Sequence, residues 1–412
     1  MNELTINLQT GSKIPLYEQI YNYVKENIQN GKLSSKEKLP STRTLARHLE
    51  VSRSTIELAY EQLMSEGYIE AEPCRGYFVA QIEDLFAWEP ERIREEEIPA
   101  REKEIFRYDF SPSGVDLKSF PYNAWRKLSK ESLVADRAEL FRLGNSQGEW
   151  GLRKAISSYL YQARGVSATS EQIIVGAGND YLLMLLCMIL GSDYKVAMEN
   201  PTYKQSYRVF SNLSYQVCTV NMDENGMLVS ELKKSEADIA FVMPSHHYPL
   251  GTVMPLKRRM ELLKWAEEKP SRYIIEDDYD SEFRYKGKPI PALQGYDRKE
   301  KVIYMGTFSK SIAPAIRVSY MVLPYSLLEG YHKRAEFLSS TVSRVDQLIL
   351  QNFIEQGYFE RHLNKSRALY KGRHDALLAA LKPLQDLCTI SGEHAGVHLL
   401  LHFPELEEEE LI

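Results

Sequence analysis

From residue 106 onward, helical patterns alternate with short apolar runs typical of strands, and this alternation constrains the fold more than any other feature. Strands separated by helices usually pair in parallel, because each crossover helix returns the chain to the same edge of the sheet. The sequence therefore predicts an α/β domain whose mainly parallel sheet is sandwiched by helices. The strand-like runs lie at 172–175, 195–198, 239–243, 273–276, 302–304 and 318–323.

Length and composition indicate a large globular protein. The chain has 412 residues, 43% of them hydrophobic, which is enough for two or three domains with sizeable cores. The longest strongly apolar run, 181–190, is about half as long as the roughly 20 residues that a bilayer-spanning helix needs. The N-terminus lacks the apolar segment of a secretory signal, and the four cysteines form no CxxC pair. These observations predict a soluble cytoplasmic protein with reduced thiols and no membrane partner.

The first 80 residues predict three helices followed by two short strands, the pattern of a helix-turn-helix with a β-hairpin wing. Gly31 closes the first helix, and Ser52 caps the third. Positive and negative side chains are nearly balanced in this region, so its charge alone does not indicate DNA binding. The predicted segments are 14–30, 39–49, 53–65, 68–71 and 77–80.

Residues 81–105 separate the two patterns. Pro90 and Pro99 frame a charged stretch with little apolar periodicity, which indicates an interdomain linker. A solvated helix on the following domain is the alternative. The predicted domains are a DNA-binding domain (1–80), the linker (81–105), a large cofactor domain (106–325) and the start of a C-terminal small domain (326–412).

Lys310 is the candidate catalytic residue, because it lies in a run rich in small hydroxyl residues, GTFSKSIAPAIR. A lysine amine forms a Schiff base with an aldehyde, so this run suits an aldehyde cofactor that carries a phosphate. Thr307, Ser309 and Arg317 would supply hydroxyl and guanidinium contacts to that phosphate.

A glycine-rich turn, IVGAGND at 174–180, lies between a predicted strand and a predicted helix. The free N–H groups and the positive end of the helix can hold a dianionic phosphate. Ala177, Gly178 and Asn179 are therefore candidate phosphate ligands, although turns of this kind are common.

Two further motifs follow predicted strands. Tyr203 ends the run ENPTY, where a tyrosine could equally be a packing residue. Carboxylates dominate the run EDDYD at 276–280, which in isolation also fits a solvated loop or a metal site. Because Lys310 follows this run after one further strand, a solvated loop and a metal site are both less consistent with EDDYD.

In order and spacing these four motifs resemble the aminotransferase class I/II family of fold-type I pyridoxal-phosphate enzymes. The resemblance implies pyridoxal 5′-phosphate as the cofactor and no metal. It also implies that Tyr203 stacks on the pyridine ring, that Asp277 faces the pyridine nitrogen and that Tyr279 hydrogen-bonds the phenolic oxygen of the ring. A carboxylate at the nitrogen keeps that nitrogen protonated, which makes the ring an electron sink.

Residues 39–80 resemble the winged helix-turn-helix of GntR-type regulators, through pieces such as VSRST at 51–55 and GYFV at 76–79. The second helix of such a motif enters the major groove of double-stranded operator DNA by its N-terminal end. A glycine at the wing tip lets the backbone approach the DNA. A helical module that mediates protein contacts is the alternative. The predicted DNA-binding residues are Arg43, Ser52, Arg53, Ser54, Thr55, Arg75 and Gly76.

A GntR-type wing joined to an aminotransferase-like domain resembles the MocR subfamily of bacterial transcription regulators, and within it the GabR-like type. The runs PSHHYPLG at 244–251 and RYIIEDDYDSEF at 272–283 are of this kind. The resemblance implies a head-to-tail, domain-swapped homodimer. It also implies a small amine or amino-acid effector that replaces Lys310 on the cofactor by aldimine exchange and changes how the dimer binds DNA.

Two departures from the family bear on the effector. Gln205 stands where GabR-like regulators have an arginine that holds the effector carboxylate. A second such arginine lies beyond residue 412 in that family, so we expect the C-terminal small domain to be truncated. Two alternatives to an amine-sensing regulator stay open. One is a regulator of vitamin B6 synthesis that senses pyridoxal phosphate itself, and the other is an aminotransferase with an accessory DNA-binding arm.

Overall fold

The computed structural model describes residues 6–9, 11–81, 114–134, 138–285, 290–393 and 395–404. The chain divides into two compact units, with the boundary between residues 107 and 108. Within the described residues, no helix is both long and apolar enough to cross a membrane. All but the first residue of the predicted linker at 81–105 lies outside the described residues.

The first unit consists of three helices and an antiparallel hairpin, as the sequence predicts. The inner faces of the helices form one core, in which Ile20, Ile56 and Leu63 are fully buried. Ser41 and Ser52 cap the second and third helices by accepting hydrogen bonds from backbone N–H groups in the first turn. The elements are α1 (Leu16–Gln29), α2 (Thr42–His48), α3 (Arg53–Ser65), β1 (Ile69–Glu72) and β2 (Gly76–Val79).

The second unit begins with helices and then alternates strands with helices around one large sheet. Its helices are α4 (Tyr122–Ser132), α5 (Trp150–Arg164), α6 (Asn179–Leu190), α7 (Lys204–Asn212), α8 (Val229–Lys234), α9 (Leu256–Glu267), α10 (Tyr325–Arg334), α11 (Arg344–Glu355) and α12 (Tyr358–Leu381). Its strands are β3 (Ile173–Gly176), β4 (Lys195–Asn200), β5 (Gln216–Asp223), β6 (Gly226–Met227), β7 (Ile239–Val242), β8 (Tyr273–Asp278), β9 (Val302–Thr307), β10 (Ser319–Val322), β11 (Thr389–Ser391) and β12 (Leu400–His402).

The large sheet has eight strands in the order β3-β10-β9-β8-β7-β4-β5-β6. All pairs from β9 to β5 are parallel, whereas β10 runs antiparallel to both β9 and β3, and β6 runs antiparallel to β5. The predicted α/β class and the largely parallel sheet are thus confirmed. Because β3, β4, β7, β8 and β9 share one direction, their carboxyl ends meet at one edge, where the predicted motifs follow them.

Apolar clusters cover both faces of the sheet. One joins α6, α7 and α10 to the sheet and includes Leu186 and Phe241, which are fully buried. Another joins α5, α11 and α12 to strands β3, β9 and β10 and includes Phe353. A third lies under α8 and α9 around Trp265. Burial on both faces explains why the central strands read as continuous apolar runs rather than alternating ones.

Some elements differ from the sequence prediction. Strand β5 carries no clear signal in the sequence, because it lies next to the edge of the sheet and exposes polar side chains such as Asn221. The run GVHLLLH at 396–402 has the apolar pattern of a strand, but the strand begins only at Leu400. The residues before it turn away at Gly396, which has a φ of +76°, and Val397 and His398 line a cavity instead. The separation of 106–325 from 326–412 as two domains stays a prediction.

Candidate functional site

The carboxyl ends of the parallel strands open onto a cavity of about 250 Å³. Eight of the ten residues predicted to bind the cofactor line this cavity: Asn179, Tyr203, Asp277, Tyr279, Thr307, Ser309, Lys310 and Arg317. The other two, Ala177 and Gly178, lie beside the cavity and contact the guanidinium of Arg317.

One end of the cavity is built for an anion. Gly178 precedes the first residue of α6, a helix of 12 residues whose N-terminal N–H groups point outward. The Arg317 guanidinium donates a hydrogen bond to the carbonyl of Ala177 at 3.2 Å and lies 3.7 Å from the carboxylate of Asp180. The φ of Gly178 is +101°, and a Cβ there would overlap the guanidinium. Glycine is therefore required for this close approach.

The loop after β9 carries the hydroxyl groups and the lysine. Thr307 ends the strand, and its Oγ1 accepts hydrogen bonds from the Ser309 backbone N–H at 3.1 Å and from the Ser319 hydroxyl at 2.8 Å. Lys310 is half-buried, and burial lowers the pKa of its amine, while the charge of Asp280 acts in the opposite direction. A lowered pKa increases the neutral fraction of the amine, which is the nucleophilic form.

Asp277 lies at the carboxyl end of β8, with its carboxylate in the cavity. The side-chain amide of Asn179 donates a hydrogen bond to it at 3.2 Å. Burial, followed by the charges of Asp278 and Asp280, raises the pKa of Asp277 to about 7. A buried carboxylate of this kind gains stability from a cationic partner in the cavity.

The neighbours of Asp277 on β8 have hydrogen-bond partners outside the cavity. Asp278 accepts hydrogen bonds from the Arg164 guanidinium at 2.9 Å and from the Tyr304 hydroxyl at 2.5 Å. Glu276 accepts the backbone N–H groups of Leu293 and Gln294, both at 2.8 Å. These bonds hold the end of β8 against α5 and β9 and fix the direction in which Asp277 points.

Aromatic rings form the opposite wall. Tyr203 and Tyr248 meet edge to face with ring centroids 5.6 Å apart, and the Tyr203 hydroxyl bonds the Gln205 side chain. The Tyr279 hydroxyl lies 3.1 Å from Nδ1 of His246. Aromatic side chains in the lining suit contact with a planar ring, and stacking of Tyr203 on such a ring stays a prediction.

A histidine pair lies behind Tyr279. Ligand atoms of His246, Asp280 and His398 lie within 4.8 Å of one another, a spacing also seen in metal sites. Within the group, Nδ1 of His246 contacts Asp280 at 2.9 Å and Nε2 of His398 contacts the Pro249 carbonyl at 3.1 Å. These contacts join His246 to Asp280 and His398 to the loop at Pro249.

Six further residues line the cavity, and of these only Gln205 is singled out by the sequence analysis, at the position of the effector-binding arginine. Tyr248 lies within the PSHHYPLG run, and that motif could have identified it as a site residue. His398 lies two residues before a strand, and no motif around it indicates a role in a site. The additional lining residues are Asp180, Gln205, Met243, Tyr248, Val397 and His398.

The predicted DNA-binding side chains lie on the surface of the first unit. Arg53 begins α3 and forms an exposed ion pair with Glu57 at 2.7 Å. Arg75 lies at the tip of the hairpin, where it pairs with Glu72, and Gly76 beside it has a φ of +112°. The remaining members lie at the starts of α2 and α3: Arg43, Ser52, Ser54 and Thr55. Exposed helix N-termini with hydroxyl and guanidinium groups suit DNA phosphates and base edges.

Comparison with known proteins matches both units. Residues 114–412 match the family model "Aminotransferase class I and II", and residues 16–79 match "Bacterial regulatory proteins, gntR family". The HTH-type transcriptional regulator YdeL of Bacillus subtilis is 41% identical over 100% of this chain and 89% of its own length. The probable rhizopine catabolism regulatory protein MocR of Rhizobium meliloti is 30% identical over 98% of this chain and 85% of its own.

A solved structure matches the second unit. The multiple substrate aminotransferase of Thermococcus profundus superposes with a TM-score of 0.64 at 25% identity, covering 73% of this chain and 77% of that one. Enzymes of this fold carry pyridoxal 5′-phosphate, and the cavity fits that cofactor. The space kept open by Gly178 beside Arg317 suits the phosphate, and the buried Asp277 suits a protonated pyridine nitrogen.

Gly178→Ala is expected to weaken pyridoxal phosphate binding by about 10- to 100-fold, because the new Cβ displaces the guanidinium of Arg317 from the phosphate. The dissociation constant is measured by cofactor absorbance. Gly191→Ala is the matched control, since Gly191 lies at the other end of α6 with a φ of +88°, and an added Cβ there would meet no atom within 4 Å. Equal affinities of the two variants would contradict the assignment of the phosphate end.

Asp277→Asn is expected to change how the stability of the cofactor-free protein depends on pH. The folded-state pKa of about 7 exceeds the usual value of 3.8, so the folded protein binds more protons between about pH 4 and 7. The free energy of unfolding therefore falls as the pH rises through this window and levels off above it. The variant should lack this loss, on the order of 1–3 kcal/mol between pH 5 and 8.

Urea unfolding at both pH values, followed by tryptophan fluorescence, measures the difference between parent and variant. Other buried carboxyls such as Glu199 and Glu276 are present in both proteins, so their contributions cancel. Asp386→Asn, an exposed position in the same unit, should keep the parent's pH dependence. A parent-like slope in Asp277→Asn would show that this carboxyl does not carry the raised pKa.

Proposed function

This chain belongs to the MocR-type transcription regulators, which join a gntR-family DNA-binding domain to an aminotransferase class I and II domain, and on that premise we propose that it regulates transcription in response to an amine or amino acid sensed at Lys310. The observation that carries the proposal is the union of two sites in one chain. One is a cavity that holds a half-buried lysine opposite a buried aspartate, and the other is an exposed, serine-capped helix suited to the major groove. A DNA-binding regulator of this kind works in the bacterial cytoplasm.

Within the cavity, each group has a separate role. The bound cofactor supplies an aldehyde carbon that reacts reversibly with primary amines. Lys310 would bind that carbon in the resting protein and would give way to an incoming effector amine. Asp277 would stabilise the protonated pyridine nitrogen, and Arg317 with the start of α6 would hold the phosphate, so that the cofactor could stay bound while its amine partner changes.

The effector regulates DNA binding only if it binds two conformations of the protein unequally. Loss of the covalent link to Lys310 and the presence of a second molecule in the cavity provide that difference. We propose a head-to-tail homodimer, which carries two wing domains and therefore reads two operator half-sites. Binding through two wings increases the affinity for an operator well above that of one wing.

The same lysine and aspartate could also support transamination, because sensing and catalysis begin with the same amine capture. The exposed reading helix favours the regulator, since an aminotransferase has no need of one. If the ligand that changes DNA binding is pyridoxal phosphate alone, the protein controls the supply of its own cofactor instead.

Lys310→Ala is expected to abolish the covalent, borohydride-reducible link between protein and pyridoxal phosphate, because no other lysine lines the cavity in the described part of the chain. Mass spectrometry of the reduced protein measures the adduct. Lys301→Ala is the control, since burial also lowers the pKa of Lys301 but this residue lies outside the cavity. A reducible adduct in Lys310→Ala would refute the assignment.

Arg53→Ala is expected to weaken specific operator binding by about 1–3 kcal/mol, because its guanidinium lies at the N-terminal end of α3, the end that we propose enters the major groove. Gel-shift titration on the region upstream of the protein's own gene measures the loss. Lys333→Ala, an exposed change in the second unit, should bind like the parent.

Footprints with and without a panel of amines then test the sensing step. Amines should change the footprint of the parent but not that of Lys310→Ala. Steady transaminase turnover without any sequence-preferring footprint would refute the regulator and favour the enzyme.

A further inference from the structure

We propose that His246 and Asp280 form a positioning pair that keeps Tyr279 a hydrogen-bond donor at the cofactor site. The proposal rests on the proposed function and on the role that the family resemblance implies for Tyr279, a hydrogen bond to the phenolic oxygen of the cofactor ring. It adds two residues, neither of which lines the cavity, and gives each a defined effect on that contact.

The pair is buried and closely bonded. The side chains of His246 and Asp280 are each about 1% exposed. Nδ1 of His246 lies 2.9 and 3.1 Å from the two carboxylate oxygens of Asp280 and 3.1 Å from the hydroxyl oxygen of Tyr279. One ring nitrogen therefore faces both an anion and a phenol.

The protons in this group can be assigned from the chemistry of its members. An ionised carboxylate only accepts hydrogen bonds, so Asp280 selects the tautomer of His246 that carries its proton on Nδ1. The oxygen of Tyr279 lies 3.1 Å from that nitrogen and accepts from it, while the phenol donates its own proton to the carboxylate of Asp280 until the oxygen of a bound cofactor competes for it. Burial, reinforced by the charge of Asp280, raises the pKa of Tyr279 and so opposes loss of that proton.

The surrounding residues hold the imidazole in place. Gly396 packs directly on the ring, and a Cβ there would overlap both the ring of His246 and the carboxylate of Asp280. His398 lies against the other side, with ring centroids 4.7 Å apart, and donates its own Nε2–H to the Pro249 carbonyl. Nε2 of His246 is buried and has no hydrogen-bond partner among the described residues. An unprotonated Nε2 fits this environment better than a buried N–H without an acceptor.

Hydrogen bonds of Arg164 also connect the loop that carries His246 to the end of β8. Ser245, the residue before His246, accepts a hydrogen bond from the Arg164 guanidinium at 2.6 Å, and the same guanidinium binds Asp278. The loop that carries the histidine and the strand that leads to Tyr279 are thus fixed to one arginine. The distance between imidazole and phenol is set by this shared support rather than by either loop alone.

A double-mutant cycle on the full chain tests the pair. Tyr279→Phe and His246→Leu should each weaken pyridoxal phosphate binding, by roughly five- to tenfold, and shift the cofactor's visible absorption in the same direction. The combined variant should bind no more weakly than Tyr279→Phe alone, because His246 acts through the phenol. His246→Asn should restore binding to within about twofold of the parent, since its amide can donate from the position of Nδ1.

The two failures are distinguishable. If the losses of Tyr279→Phe and His246→Leu add, or if His246→Asn binds like His246→Leu, the histidine acts by packing and the pair is refuted. If Tyr279→Phe alone changes neither binding nor spectrum, Tyr279 does not contact the cofactor and the role that the resemblance implies for it fails, whereas the sensing role of Lys310 is tested separately by Lys310→Ala.

Nuclear magnetic resonance of the cofactor-free parent gives a readout that needs no bound cofactor and uses only the conservative variant His246→Asn, for assignment of the signal. With ¹⁵N-labelled histidine, the signal of His246, identified by its loss in His246→Asn, should report a proton on Nδ1 and none on Nε2. A proton on Nε2 alone would overturn the assignment.

Discussion

Four carboxylates lie within five residues at the end of β8, and the site depends on how their charges are kept apart. Buried like charges raise one another's pKa and favour neutral forms unless each finds its own partner. Here Asp278 has the guanidinium of Arg164, and Glu276 has two backbone N–H groups. Asp277 is left with only a side-chain amide, so it is the carboxylate with most to gain from a cationic ligand.

The pleat of the strand makes this separation possible. Alternate residues of a strand face opposite sides of the sheet, so Glu276 and Asp278 point away from the side that Asp277 faces. The pairing of Arg164 with Asp278 also fixes the last residue of α5 against the sheet. Removing one partner of a buried ion pair leaves an uncompensated charge, which is far more costly than the pair itself is stabilising. The cavity therefore depends on contacts made behind it as much as on the groups that line it.

The sequence predicts the class of fold and the residues that follow the parallel strands into the cavity, because both depend on the order of strands, helices and motifs along the chain. Parallel strands end at one edge, so motifs that follow successive strands, such as those of Tyr203, Asp277 and Lys310, must converge. The supporting contacts could not be predicted in the same way. Arg164 and His398 come from segments far from the motifs, and nothing local distinguishes an arginine at a helix end or a histidine before a strand as part of a site.

The phosphate end of the cavity forms only when strand β10 is in place between β3 and β9. Ser319, the first residue of β10, pairs with Gly176 on one side and with Thr307 on the other. The glycine-rich turn after β3 and the loop after β9 are therefore held side by side by β10, a strand that follows both of them in the chain. On the ribosome, a nascent chain that has emerged as far as the lysine still lacks this strand, so capture of the vitamin-derived cofactor follows completion of the sheet.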